Sequence, residues 1–156
     1  SKSAIDNYLY IMQKSFHAVL IRPFFQNVRK EITRMPKVFF LDLGLRNFFI
    51  DDFTPFETRN DKGQLLENAF LRELIEKYDK DKVKFWRTVD QKEVDFVVDD
   101  AAFEVKADVK NFKNKDYGLF LENYPKINFS IVSIIFKIAL ESICKFCKFL
   151  KLHSLH

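Results

Sequence analysis

The stretch that decides the fold is Lys92-Glu-Val-Asp-Phe-Val-Val-Asp-Asp-Ala-Ala-Phe-Glu-Val-Lys-Ala107. Apolar and polar residues alternate through both halves, and Asp99 and Asp100 stand between them. Alternation with a period of two is typical of half-buried strands, and a two-residue polar connection is typical of a tight hairpin. The stretch therefore predicts two antiparallel strands with one apolar and one charged face. The apolar face would consist of Val94, Phe96, Val98, Phe103 and Val105.

The register of this hairpin places two carboxylates opposite each other. If the loop has two residues, counting back from it sets Asp95 directly opposite Glu104. Like charges in that position destabilise a ladder. A divalent cation would make the pair favourable, because Mg²⁺ is typically held by one or two carboxylates together with water and phosphate oxygens. Lys106 lies on the same face, so the hairpin predicts a site for a metal ion and a phosphate group.

Length and composition indicate one ordinary globular domain, or a small domain with an attached subdomain. The chain has 156 residues, of which 47% are hydrophobic and 31% are charged. A net charge of +4 permits a polyanionic partner without requiring one. The N-terminus lacks the apolar core of a signal peptide, and no uncharged run approaches the roughly 20 residues of a membrane span. We therefore expect a cytoplasmic protein with no membrane partner, and Ser1 in place of methionine suggests a fragment of a longer chain.

The two cysteines form a C-x-x-C pair at Cys144 and Cys147, followed by His153 and His156. Only five residues separate Cys147 from His153, which is well short of the usual loop of a zinc finger. The pattern therefore favours two small apolar residues on one helical face over a zinc site.

The first 50 residues have the outline of a winged-helix-like segment. The pattern predicts a helix over 3–15 that begins at Ser3, and strands over 18–25 and 37–41 around a charged connector. Such a basic wing would contact the phosphate backbone of DNA, although a solvated hairpin explains the same charges equally well. The candidate DNA-binding residues are Arg22, Arg29, Lys30, Arg34 and Lys37.

The remaining segments alternate between helix and strand. A short helix over 42–49 would be capped by Asp42, and the polar residues 51–63 form the best candidate for an internal boundary. The clearest helix covers 64–78, and Glu67 falls near the middle of its apolar arc at about 100° per residue. A carboxylate directed at a core is costly unless it is paired or bound to a metal, so Glu67 is a candidate site residue. Strands are predicted over 83–88 and 128–135, and helices over 111–124 and 136–150.

This order of elements resembles the PD-(D/E)XK nuclease superfamily, and the matching residues are Glu67, Asp95, Glu104 and Lys106. Val94 replaces the proline of that motif. The wider pattern resembles the DUF4143 domain, which is found C-terminal to the ATPase core of archaeal and bacterial AAA-type ATPases. That resemblance spans nearly all of residues 1–135. It rests on blocks at 8–12, 22–24, 36–45, 63–70, 93–96 and 103–106.

The resemblance implies an α/β (α+β) fold in which a restriction-endonuclease-like core, with a central mixed sheet flanked by helices, follows the winged-helix-like segment. The corresponding domains are 1–50, the nuclease-like core at 51–135, and a C-terminal helix or tail at 136–156. In active relatives Asp95 and Glu104 would ligate Mg²⁺ or Mn²⁺, and Glu67 would complete or position the metal site. Lys106 would orient or activate the attacking water and stabilise the charged phosphate.

Three readings of these residues stay open. The first is a nuclease-like, DNA-associated domain of an ATPase that hydrolyses phosphodiesters with Mg²⁺. The second is a catalytically silent module that binds DNA or a partner and regulates that ATPase. The third is ordinary surface charge, with a cross-strand ion pair between Glu93 and Lys106. No G-x-x-x-x-G-K-[ST] motif occurs, so ATP binding is not expected in this chain. Separation from an ATPase would expose apolar surface, which would favour a homo-oligomer.

Overall fold

A six-stranded mixed sheet forms the centre of the fold. The computed structural model describes residues 2–24, 35–108, 110, 113 and 116–133. The strand order across the sheet is β2-β1-β3-β4-β5-β6. In chain order the elements are α1 (Lys2–Lys14), β1 (Ala18–Pro23), β2 (Lys37–Phe40), α2 (Leu43–Ile50), a 3-10 turn (Phe56–Thr58), α3 (Lys62–Lys77), β3 (Lys84–Arg87), β4 (Glu93–Val98), β5 (Ala101–Lys106), α4 (Gly118–Asn123) and β6 (Asn128–Ser133).

The strands pair in both directions, as predicted for a mixed sheet flanked by helices. β1 runs antiparallel to β2 and parallel to β3, while β3, β4 and β5 form an antiparallel meander and β5 pairs in parallel with β6. Strands β1 and β2 come from the predicted winged-helix-like segment, yet they extend the same sheet as β3 to β6. The division of the chain into separate domains stays a prediction.

The central hairpin has the predicted register. Val98 pairs with Ala101 and Phe96 with Phe103, so the loop consists of Asp99 and Asp100 alone. Asp99 adopts a φ of 49°, a left-handed conformation that tight turns need and that aspartate tolerates better than most residues. The tip of the hairpin is fixed because the carbonyl oxygen of Asp100 accepts a hydrogen bond of 2.8 Å from a backbone N–H of β6.

Helices cover both faces of the sheet and create two apolar clusters. Helix α3 packs on one face and α4 on the other. The cluster under α3 contains Val19, Ile21, Phe39, Phe70, Leu71, Leu74, Val83, Phe85, Phe96, Val98, Phe103 and Val105. The cluster under α4 contains Trp86, Val94, Val97, Ala102, Tyr117 and Phe120.

The predicted strict alternation along β4 is wrong at its first half. Val94 packs in the α4 cluster, while Phe96 packs in the α3 cluster. The cause is a β-bulge: between the pairs Lys84–Val97 and Trp86–Val94, β4 has one residue more than β3. The extra residue rotates the strand, so side chains on either side of it no longer follow the period of two.

The predicted helices over 3–15, 42–49 and 64–78 are confirmed to within two residues at each end. The predicted cap at Ser3 is wrong, because α1 begins at Lys2 and Ser3 lies inside it. The Asp42 side chain accepts a hydrogen bond of 2.7 Å from the backbone N–H of Leu45 and caps α2. Helix α4 is shorter than the predicted 111–124, several residues of which are outside the described ranges. The predicted C-terminal helix or tail at 136–156, with its C-x-x-C pair, also lies outside them. Within the described ranges, no helix is long and apolar enough to cross a membrane.

A buried ionic network fixes the polar segment between α2 and α3. Arg46 and Arg59 are 8% and 4% exposed, and both donate to the carboxylate of Asp61 at 2.7–2.9 Å. Arg59 also donates to the backbone oxygen of Asp52 at 2.8 Å. The two arginines hold the pKa of Asp61 well below its usual value. Thus the turn-rich segment predicted as a boundary is tied to both of its neighbouring helices.

Candidate functional site

The bulge in β4 turns Asp95 toward β5. The residue is 6% exposed, and its Oδ2 accepts a hydrogen bond of 2.8 Å from the backbone N–H of Val105. A carboxylate therefore takes the place that a strand carbonyl would occupy in a regular ladder. Burial raises the pKa of Asp95, and this backbone hydrogen bond partly opposes the shift. The local distortion thus holds a buried carboxylate beside the next strand.

Glu104 on β5 is the second buried carboxylate and is 4% exposed. Its Oε1 accepts a hydrogen bond of 2.6 Å from Lys106 Nζ, whereas its buried Oε2 accepts none from the residues that the structure describes. Burial and then the charge of Asp95 raise the pKa of Glu104, while Lys106 and Tyr117 lower it. The predicted pair of neighbouring carboxylates is therefore brought together, and Glu104 Oε2 is buried without a hydrogen-bond donor among the described residues.

Lys106 and Tyr117 complete this side of the site. The Lys106 side chain is 30% exposed, and although burial lowers its pKa, Glu104 outweighs burial and raises it. Tyr117 precedes α4, and burial and the charge of Glu104 raise its pKa. Sequence reasoning missed Tyr117, because its approach to Glu104 depends on how α4 packs on the sheet.

A second set of charges surrounds Lys37, which lies on β2. Its Nζ is 3.4 Å from Glu67 Oε2 and 3.7 Å from Asp95 Oδ1, and it also contacts Glu93 Oε1. The Lys37 side chain is 16% exposed, and its Nζ lies 5.5 Å from the centre of the Phe85 ring. Burial acts to lower the pKa of this lysine, but the three carboxylates outweigh burial and raise it.

This environment was not predicted for Lys37, which sequence reasoning assigned to a solvent-facing basic wing. A signal was present in the strand itself: Lys37 alternates in phase with buried Phe39, whereas Val38 between them is 42% exposed. A lysine in phase with the core side of a strand needs a buried counter-charge. Its DNA contact stays a prediction, and the geometry favours a role among the carboxylates.

Glu67 approaches the same cluster from α3. Its side chain is 23% exposed, and burial together with the charge of Asp95 raises its pKa to about 7, although Lys37 opposes the shift. The structure thus brings Glu67 near Asp95, as the predicted site requires. The alternative ion pair between Glu93 and Lys106 is wrong, because Glu93 pairs with Lys37 and Arg87.

An open pocket of about 250 Å³ lies beside the Lys37 cluster, between β2 and α3. It combines cationic, anionic and aromatic walls. The residues that line it are Lys37, Val38, Phe39, Phe40, Arg46, Gln64, Glu67 and Asn68. Two side chains of the carboxylate cluster, Lys37 and Glu67, therefore border an open space.

The donor set has the chemistry that Mg²⁺ prefers, since carboxylate oxygens are its usual protein ligands. Asp95 and Glu104 are neighbouring buried carboxylates, and Glu104 has an oxygen without a donor among the described residues. Across those residues, however, no group of three or more acids, histidines or cysteines is arranged to hold a metal ion. Asp95 and Glu104 are thus two carboxylates of the kind that bind such an ion, while Lys37 engages Glu67 and also lies 3.7 Å from Asp95.

Of the remaining predicted DNA contacts, the structure describes one. Arg22 is exposed on β1 and pairs in register with Lys84 of β3. Arg29, Lys30 and Arg34 lie outside the described residues, so their predicted contacts are not placed.

Two family models match the chain. One, described as "Domain of unknown function (DUF8612)", matches residues 1–55, and the other, described as "Domain of unknown function (DUF4143)", matches residues 62–143. The DUF4143 match is narrower than the predicted span of 1–135, and the blocks at 8–12, 22–24 and 36–45 fall in the DUF8612 match instead. No curated protein and no solved structure matches the chain. Because the match at 62–143 covers 82 of 156 residues, the chain belongs to the DUF4143 family.

Proposed function

We propose that this chain is a DNA-associated, nuclease-like domain of the PD-(D/E)XK type that hydrolyses phosphodiester bonds with Mg²⁺. The observation that carries the proposal is the environment of Glu104. This buried carboxylate lies beside buried Asp95, accepts a hydrogen bond from Lys106 on one oxygen and has no donor among the described residues on the other. A cation and a phosphate would satisfy the charges that this arrangement leaves in the interior.

Asp95 and Glu104 would hold the metal ion, and Glu67 would complete its ligands. A bound divalent ion neutralises charge on a phosphodiester and lowers the pKa of a bound water. The other steps belong to the protein. Lys106 keeps its ammonium charged next to Glu104 and can donate hydrogen bonds to a phosphate oxygen. The exposed side chain of Arg22 on β1 can neutralise a further backbone phosphate.

A second candidate function is a catalytically silent module that binds DNA or a partner and regulates an attached ATPase. The observation that favours it is the Lys37 ammonium, which already neutralises carboxylates at the site. The described residues also lack a group of three metal-binding side chains. Such a module would use the same sheet as a scaffold and would not need an ion.

The two functions are separated by titrating Mn²⁺ calorimetrically into the wild type and into Glu104→Gln. Glu122→Gln is the matched control, because Glu122 is exposed on α4. We expect saturable binding to the wild type and the control, and no binding to Glu104→Gln. Nicking of plasmid DNA with Mg²⁺ should likewise be lost in Glu104→Gln and in Lys106→Met.

The silent module is supported if neither the wild type nor any variant nicks DNA, and if Glu104→Gln binds DNA as tightly as the wild type does. Binding should be measured by fluorescence anisotropy at a fixed salt concentration, because phosphate contacts are strongly salt-dependent. Equal Mn²⁺ binding by Glu104→Gln and the wild type would contradict the assignment of the metal site itself.

A further inference from the structure

We propose that Lys37 is a tethered cation that competes with a divalent metal ion for the carboxylates of this site. The inference rests on the proposed metal site and deepens it by adding a control of metal binding. The Lys37 ammonium neutralises Glu67, Glu93 and Asp95, and it must leave Asp95 and Glu67 before a metal ion can bind them.

The position of Lys37 is unusual for a neutralising lysine, because it comes from the edge of the sheet. It lies on β2, and its partners lie on β4, three strands away, and on α3. The side chain reaches them by passing Phe85 on β3, with Nζ 5.5 Å from the ring centre. The apolar ring and the three carboxylates together hold a charge whose side chain is only 16% exposed.

The partners depend on Lys37 to different degrees. Glu93 also contacts Arg87, so it retains a cation when Lys37 moves. Glu67 and Asp95 are bridged by Lys37 Nζ at 3.4 and 3.7 Å. These are two of the three carboxylates assigned to the metal, so movement of Lys37 releases the ligands that the ion needs and leaves Glu93 compensated.

A metal ion and the ammonium exclude each other at this position. Mg²⁺ binds carboxylate oxygens at about 2.0–2.1 Å, so an ion on Asp95 and Glu67 would lie next to Nζ with the same sign of charge. Repulsion between cations so close in a partly buried site is large. The neighbouring Glu104 Oε2 is buried and accepts no hydrogen bond within the described part of the chain, so a cation bound at Asp95 would also stabilise this carboxylate.

The structure also provides a place for the displaced side chain. The pocket of about 250 Å³ between β2 and α3 is lined by Lys37 itself and by Glu67. A lysine has a flexible stem and a strongly hydrated ammonium, so rotation of its side chain would carry the ammonium into this open space.

The test compares Mn²⁺ affinity in the wild type, Lys37→Met and Lys37→Arg, measured by calorimetry and by the thermal shift of Trp86 fluorescence. Lys77→Met is the matched control, because Lys77 is an exposed lysine at the end of α3. We expect Lys37→Met to bind Mn²⁺ at least about tenfold more tightly than the wild type, a change of about 1.4 kcal/mol. We expect Lys77→Met to match the wild type.

Two further results support the inference. Lys37→Met should melt at a lower temperature than the wild type in chelator, and Mn²⁺ should restore it. Lys37→Arg keeps the positive charge and tests the charge without the risk of leaving the carboxylates unpaired, so its Mn²⁺ affinity should be no higher than that of the wild type. The competition is overturned if Lys37→Met binds Mn²⁺ no more tightly than the wild type, or if Lys37→Arg binds it more tightly than the wild type.

The outcomes separate this inference from the nuclease proposal. Equal Mn²⁺ affinity in all variants overturns the role of Lys37 and leaves the metal site intact. Tighter binding by Lys37→Met without any DNA cleavage supports the competition and contradicts the nuclease activity. Failure of every variant to bind Mn²⁺ overturns both.

Discussion

The side-chain amide of Asn68 forms hydrogen bonds with the backbone of β2 at the edge of the sheet. Removing this amide should destabilise the protein. Asn68 lies on α3, is 3% exposed, and accepts a hydrogen bond of 3.0 Å from the backbone N–H of Phe40. Its own Nδ2 donates to the carbonyl oxygen of Phe40 at 2.5 Å. β2 is an outermost strand of the described sheet, so this bridge satisfies backbone groups that a further strand would otherwise bind.

The magnitude follows from these two hydrogen bonds. Asn68→Leu has nearly the same shape, but it removes both partners of Phe40. Each lost bond costs about 1 kcal/mol, and the unpaired backbone groups add a further penalty because Phe40 is half-buried. The buried leucine regains part of this through its apolar surface. We therefore expect a net loss of about 2 kcal/mol in the free energy of unfolding, or roughly 6 °C in Tm for a chain of this size.

The assay is urea unfolding followed by the fluorescence of Trp86, the one tryptophan of the sequence, which is buried in the α4 cluster. Gln64→Leu is the matched control, since Gln64 is an exposed amide one turn earlier on the same helix. The control should change the free energy of unfolding by less than about 0.5 kcal/mol. The reasoning is refuted if Asn68→Leu changes it equally little, because the bridge to β2 would then contribute nothing.

Two further substitutions test the packing around the site. Asp61→Asn should lower the urea midpoint at pH 7, because two buried arginines lose their anion. Since the pKa of Asp61 is held below its usual 3.8, this stabilisation is present above about pH 4 and is lost as the pH falls further. The urea midpoints of the variant and the wild type should therefore converge in acid. A constant difference between them across that range would contradict the ion pairs. Phe120→Ala should cost about 3–5 kcal/mol, because Phe120 is fully buried and its ring lies 5.2 Å from that of Trp86. A loss below about 1 kcal/mol in urea titration would show that α4 is not packed as described.

The local part of the site could be predicted from sequence because it depends on neighbouring residues in one hairpin. A two-residue loop fixes the register, and the register alone brings Asp95 beside Glu104 and Lys106. The bulge in β4 could not be predicted, because it arises from the pairing of β4 with β3. The sequence of the hairpin alone does not determine that pairing. That bulge decides how Asp95 is turned and which cluster receives Val94.

The non-local part of the site was not predictable for a different reason. Lys37 and Tyr117 reach the carboxylates from elements far away in the chain, and helical or strand periodicity gives only the face on which a residue lies. The alternation of Lys37 with Phe39 predicts the face on which Lys37 lies, but its partners on α3 and β4 depend on the strand order β2-β1-β3-β4. Helical periodicity likewise predicts that Glu67 points inward. It does not predict that Lys37 is the residue Glu67 contacts.

The two family matches meet in this charge cluster. Lys37 belongs to the DUF8612 match at 1–55, whereas Glu67, Glu93 and Asp95 belong to the DUF4143 match at 62–143. Lys37 contacts all three of these carboxylates, and Arg87 contacts Glu93. Of these two cations, Lys37 comes from the first segment, residues 1–55. Buried carboxylates without a cation are unfavourable, so Lys37 of the first segment balances part of the charge of the second. If a metal ion competes with Lys37 as proposed, the first segment would regulate the site of the second through this charge.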